Sequence, residues 1–198
     1  MATTASEEEK IKINPYNNKN KFITREEVTR ILTSKGIDIP LLDVSRYQHA
    51  FVHKSYCKKK ESENILQNIE LAERPDDCLE LQEQSNERLE FLGDAVVNFA
   101  VGKYLYERFE DQDEGFLTRI RTKLVNGETL AKFAIELGFP QHLIISRHVE
   151  DRCNGRQNLR ILEDAFESFI GAMYQDFNHL EVSQYQDLSK SNHECVDL

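Results

Sequence analysis

The feature that most constrains this chain is the presence of acids inside its two most apolar stretches. Between Asn86 and Phe109 apolar residues occupy most faces of a helix, as happens when a helix is central to a core. Yet Glu87, Glu90 and Asp94 recur there at three- and four-residue spacing and so share one face. Leu159 to Phe177 repeats the arrangement, with Asp164 and Glu167 three apart among Ile161, Leu162, Ala165, Phe166, Phe169 and Ile170. Either group alone has an ordinary explanation as the solvated stripe of an amphipathic helix. Two such groups on the two most buried-looking helices point elsewhere. If the helices pack together, the carboxylates of Glu90, Asp94, Asp164 and Glu167 converge. Two like charges about 4 Å apart repel by ~4 kcal/mol at an effective dielectric of about 20, so the cluster calls for cations. Donors that are all oxygen select hard ions, magnesium or manganese. A pair of such ions clamps both oxygens of an in-line phosphoryl displacement, so the predicted chemistry is phosphodiester hydrolysis.

Helix signals organise the rest of the chain. Residues 1–20 are polar and aperiodic and read as a disordered tail. Thr24 and Glu27 form a capping box, Ile23 can staple onto Val28, and Val28, Ile31 and Leu32 follow at helical spacing up to Gly36. A second helical stretch runs from Leu41, behind Pro40, to about Tyr56. Residues 58–85 are charged, contain Pro75 and read as an exposed insertion with a short helix over Ile65, Leu66 and Ile69. Further helices are predicted over Phe116–Val125 and, after the cap Asn126, through Leu130, Phe133, Ala134 and Leu137 to a stop at Gly138 with Pro140 behind it. Residues 147–158 read as a loop and the end of the chain, 178–198, as a polar tail. No strand alternation stands out. The prediction is an all-α domain over residues 21–177.

Composition sets limits. The 198 residues are 39% hydrophobic and 30% charged, enough for one domain with a full core. Cys57, Cys78, Cys153 and Cys195 lie far apart without zinc-ligand spacing and fit a reducing, cytoplasmic setting. The opening MATTASEEEK is not a secretory signal, and no apolar run approaches the roughly 20 residues that span a bilayer. A net charge of −10 speaks against an ordinary nucleic-acid binder, whose surface is basic.

The residues also carry a family resemblance. NERLEFLGDA (Asn86–Ala95) resembles the ribonuclease III signature almost letter for letter. AFVHKSY (Ala50–Tyr56), EGFLTRIRTKLVNGETLAKFAIELG (Glu114–Gly138) and ILEDAFESFIGAMYQD (Ile161–Asp176) resemble three further blocks of that family in the right order. The resemblance implies a homodimeric, helical endonuclease domain that cuts double-stranded RNA with magnesium, for which manganese can substitute. The products would carry 5′-phosphates and two-nucleotide 3′ overhangs. Glu90, Asp94, Asp164 and Glu167 match the family's metal-binding carboxylates, with Asp94 and Glu167 central to catalysis. Glu87 and Glu114 match supporting acids, and Phe91 matches an aromatic that enters a pocket of the partner subunit.

Three departures bear on substrate choice. Residues 58–85 are longer than in compact members, and SRHVEDRCNGRQN lacks the usual glycine- and glutamate-rich form before the second acidic helix. The residues after Phe177 are too few for the RNA-binding domain that many members append, as expected of a minimal or shortened member. Arg119 and Lys123, four apart on one predicted helical face, and Arg156 and Arg160 offer a local positive strip for RNA phosphates. His49 and His53 lack a third ligand and read as packing or hydrogen-bonding residues rather than a zinc site. The competing readings are a non-catalytic dimeric RNA-binding scaffold and a module that sequesters small RNA duplexes.

Overall fold

The computed structural model describes residues 10–59 and 69–193, with side chains described through Asn178. Seven α-helices carry the described fold: α1 (Arg25–Ser34), α2 (Val44–Ala50), α3 (Glu87–Arg108), α4 (Glu114–Leu124), α5 (Gly127–Glu136), α6 (Arg147–Arg152) and α7 (Leu159–His193). Short 3-10 turns at Lys54–Tyr56, Phe139–His142 and Gly155–Gln157 connect them. Among the described residues no helix is long and apolar enough to cross a membrane.

The helix starts follow the sequence signals. The Thr24 hydroxyl accepts from Glu27 N at 3.2 Å and the Glu27 carboxylate accepts from Thr24 N at 2.8 Å, completing the capping box. Ile23 and Val28 are both buried, as a staple requires. Gly36 and Gly138 take positive φ just beyond α1 and α5, the left-handed conformation that stops a helix there. Asn126 caps α5 by accepting from Thr129 N at 3.0 Å.

The core forms around α7. Tyr47, Phe51, Phe139 and Phe169 stack edge-on with ring centroids 4.9–5.2 Å apart, drawing α2 and the Phe139–His142 turn onto it. Asp176, fully buried on α7, accepts from the backbone N–H groups of Leu42 and Asp43 at 3.0 Å, which anchors the entry to α2. Burial and the neighbouring Asp176 push the Tyr47 hydroxyl well above the ordinary phenol range.

Four expectations are corrected. The first concerns the disordered tail expected over residues 1–20, of which 1–9 lie outside the described residues. Ile11–Ile13 form strand β1, paired in parallel with β2 (Ile69–Leu71). Asn17 and Asn20 are buried and donate to the Ile145 carbonyl at 3.2 and 2.9 Å. Amide side chains here replace the apolar residues that a periodicity argument needs. The second is the insertion: Ile65 and Leu66 lie outside the described residues, whereas Ile69 opens a strand rather than lying in a helix. Cys78 and Leu81 are buried beside Tyr56, whose hydroxyl donates to Leu79 O at 2.8 Å. The third is the polar tail, because α7 continues past Phe177 to His193 and spans 35 residues, about 50 Å of helix. Residues 147–158, expected as a loop, contain α6 and a 3-10 turn.

Candidate active site

Two glycines determine how the acidic helices meet. A Cβ on Gly93 of α3 would lie 1.7 Å from the carbonyl oxygen of Glu167, and one on Gly171 of α7 would lie 2.4 Å from that of Leu89. The backbones of α3 and α7 are therefore in direct contact, closer than any side chain permits. The start of α3 is pinned as well. Asn86 does not cap its own helix; its side chain donates to Ala50 O at 3.0 Å and its backbone N–H to Val52 O at 2.8 Å. The buried Ser168 hydroxyl donates to Asn86 O at 3.3 Å.

This crossing brings Glu90, Asp94, Asp164 and Glu167 into one electrostatic neighbourhood. Glu167 is 8% exposed. Burial, then the charges of Asp94, Glu163, Glu90 and Asp164, push its carboxyl up to about 8. Burial, then Glu90 and Glu163, push Asp164 up to about 6, against the opposing pull of Arg160 and Lys54. Glu90 is raised by burial and by Glu87. Asp94 is exposed and accepts from the Asn98 side-chain amide at 2.8 Å.

At neutral pH Glu167 holds its proton unless cations neutralise the cluster. The donor set is all oxygen, which fits magnesium or manganese and not a softer metal. Among the described residues no three His, Cys, Asp or Glu side chains already form a closed metal-binding group. Side-chain rotation about a fixed backbone crossing is what remains for these carboxylates to close on an ion.

The other expected residues divide. The Glu87 carboxylate accepts from Ser85 Oγ at 2.8 Å and pairs with Lys54 Nζ at 3.1 Å, and both hold it below the usual carboxylate range. Glu114 accepts from the Thr118 hydroxyl at 2.8 Å and is not among the main charges acting on Glu90, Asp164 or Glu167. Phe91 is 81% exposed on α3. Arg119 and Lys123 are exposed on α4, and Arg160 is exposed in the first turn of α7. Arg156 is a correction. Its guanidinium donates to Glu150 Oε2 at 2.8 Å, to the carbonyls of Pro140 and Leu143 at 2.7 and 2.9 Å, and to Asn20 Oδ1 at 3.2 Å. With its donors spent inside the fold, it is not available to RNA. His49 bonds Ser85 O at 2.8 Å and His53 bonds the Ser55 hydroxyl at 2.8 Å, the hydrogen-bonding roles expected.

Two charged residues went unnoticed in the sequence. Glu163, half-buried, acts on Glu90, Asp164 and Glu167, and its carboxylate rests where a Cβ on Gly127 would lie, 2.5–2.6 Å away. Its spacing of four from Glu167 was a readable signal. Lys54 reaches the site from another segment, and nothing local announces that.

Comparison with known proteins identifies the fold and the family. The ribonuclease III domain model matches residues 87–178. A probable ribonuclease 3 of Acanthamoeba polyphaga mimivirus is 33% identical over 186 residues, 93% of this chain and 34% of that protein. Ribonuclease 3 of Listeria welshimeri is 35% identical over 143 residues, 72% of this chain and 53% of that protein. The chain thus spans between a third and about half of the length of these relatives. Two solved nuclease domains of ribonuclease III from Campylobacter jejuni superpose on it. One has a TM-score of 0.59 at 29% identity, covering 88% of this chain and 97% of that one. The other, described with a flexible region involved in dimer formation, has a TM-score of 0.57 at 32% identity and covers 75% and 85%. On these matches the chain belongs to the ribonuclease III family.

Proposed function

We propose that this chain is the catalytic module of an endoribonuclease that hydrolyses double-stranded RNA as a homodimer and leaves 5′-phosphates with two-nucleotide 3′ overhangs. The observation that carries this reading is the convergence of Glu90, Asp94, Asp164 and Glu167 at a backbone-to-backbone helix crossing. When bound, magnesium, or manganese in its place, would neutralise these carboxylates and polarise the phosphodiester. Glu90, Asp94, Asp164 and Glu167 would hold it. In the metal-free fold Glu167 is held largely protonated at neutral pH, so a cation that binds there displaces its proton. Burial keeps bulk water from solvating that group.

The dimer has a face of its own. Phe91, Phe99 and Tyr106 are 81%, 73% and 74% exposed, and with Ala95 they fall on one stripe of α3. An apolar stripe of that size on a central helix is the mark of a covered surface. It lies about a third of a turn from the acids, so a second copy docking there brings two acid clusters to one duplex. RNA contacts fall to Arg119, Lys123 and Arg160, whose local charge offsets the overall −10. These contacts involve backbone phosphates and 2′-hydroxyls, the recognisable features of an A-form helix.

The deciding experiment is cleavage of a long, end-labelled RNA duplex with and without magnesium by wild type and Glu167→Gln. Magnesium-dependent cutting that disappears in the variant is expected. Equal cutting by both would sink the assignment.

A further inference from the structure

The acid cluster has a cationic neighbour whose position is fixed by the fold. Lys54 opens the Lys54–Tyr56 turn. On one side of it His53 N donates to Ile144 O at 3.0 Å, and on the other Ser146 N donates to the Ser55 hydroxyl at 3.0 Å. The residues just before it, Ala50 and Val52, accept the two Asn86 bonds that fix the start of α3. The Lys54 stem therefore springs from backbone tied to the acidic helix itself. Its ammonium sits 3.1 Å from Glu87 Oε1, one helical turn before Glu90. Arg160 stands in a comparable place on α7, four residues before Asp164. Both cations act through space on Glu90 and Asp164.

A purely structural role leaves this placement unexplained. Lys54 and Glu87 are 68% and 55% exposed, and exposed pairs of this kind contribute little to stability. A solvated ammonium beside a cluster that must accept a polyanion has a stronger use. The chain has 35 acids against 25 lysines and arginines, so phosphates approaching the site meet repulsion unless cations are fixed at its edge. We propose that Lys54 is a substrate-binding residue that, with Arg160, grips RNA phosphates neighbouring the one to be cut. This rests on the nuclease reading above. In the bound state the ammonium leaves Glu87 for a phosphate oxygen, and Ser85 continues to hold the Glu87 carboxylate.

The test uses the full chain with Glu167→Gln, so that duplex is bound without being cut. Binding of a blunt RNA duplex is measured in magnesium across a series of salt concentrations. Adding Lys54→Ala should weaken binding about tenfold and reduce the salt slope by about one. The loss should be alike for duplexes of different sequence. Lys54→Arg should restore most of the affinity, and Glu87→Gln, which frees the ammonium, should not weaken binding. Matching thermal melts of the variants exclude a folding defect. If wild type cuts duplex while Lys54→Ala leaves affinity and salt slope unchanged, the Lys54 assignment alone is overturned. Glu87→Gln reproducing the loss would overturn it too, assigning Lys54 to the ion pair. A wild type that neither binds nor cuts duplex overturns the nuclease reading with it.

Discussion

Gly93 and Glu167 touch backbone to Cβ position: the hydrogen that Gly93 carries where other residues carry a methylene points at the Glu167 carbonyl, 1.7 Å from the site a Cβ would take. Gly93→Ala must therefore drive α3 and α7 apart, because the obstacle is backbone and cannot rotate away. We expect a loss of about 3 kcal/mol or more in urea unfolding and loss of cleavage. Gly102→Ala, in the same helix with nothing within 4 Å, should be neutral or stabilising by about 0.5–1 kcal/mol. Equal effects at the two positions would refute the close crossing.

The Glu167 carboxyl ties stability to pH. Its ordinary value is 4.5 and the fold raises it to about 8. Between these values the unfolded chain has lost the proton and the folded chain keeps it, so the metal-free fold weakens as pH rises through that window. Its contribution is fully present below 4.5 and gone above about 8. Asp164 adds the same trend from 3.8 to about 6. Magnesium favours the ionised forms, so binding releases protons and tightens with pH. Calorimetry in two buffers of different ionisation enthalpy reads the proton release near neutral pH. Glu167→Gln should reduce it and flatten the pH dependence of the metal-free melting temperature.

Arg156→Ala should cost about 2 kcal/mol, since it removes the donor to the Pro140 and Leu143 carbonyls and leaves Glu150 with only Lys19 and Asn17. Arg156→Lys should recover little, because one ammonium cannot replace a planar fork. Urea unfolding measures both. A variant as stable as wild type but selectively weak in RNA binding would return Arg156 to the substrate surface.

If the exposed face of α3 is the proposed dimer interface, Phe91→Ala should make the chain monomeric in sedimentation velocity where wild type is dimeric. The folded monomer should keep its stability to within about 0.5 kcal/mol, because the ring is already in solvent. Persistence of the dimer at micromolar concentration would place the interface elsewhere.

The sequence disclosed what has a local cause. Thr24, Gly36, Asn126 and Gly138 announce helix ends through hydrogen bonds made within a few residues. The acid spacing on α3 and α7 is likewise a property of single helices. What escaped depends on partners distant in the chain. Asn17 and Asn20 look like tail residues until the Ile145 carbonyl, more than a hundred positions away, accepts from them. Arg156 looks like a surface cation until Asn20 and Glu150 close around it. Lys54 reads as ordinary until the start of α3 is seen to be tied to Ala50 and Val52, just before it in the chain.

The contact between α3 and α7 has a consequence for how such a site can diverge. The helices that bear the acids are also those whose backbones meet, so acid spacing and core integrity are one trait rather than two. Drift that loosens the reaction centre also unfolds the molecule, and is removed on both counts. Variation is left to the periphery: the face of α4 and the cations beside the acids. On the proposed nuclease reading, substrate preference can change there while the helix crossing stays fixed.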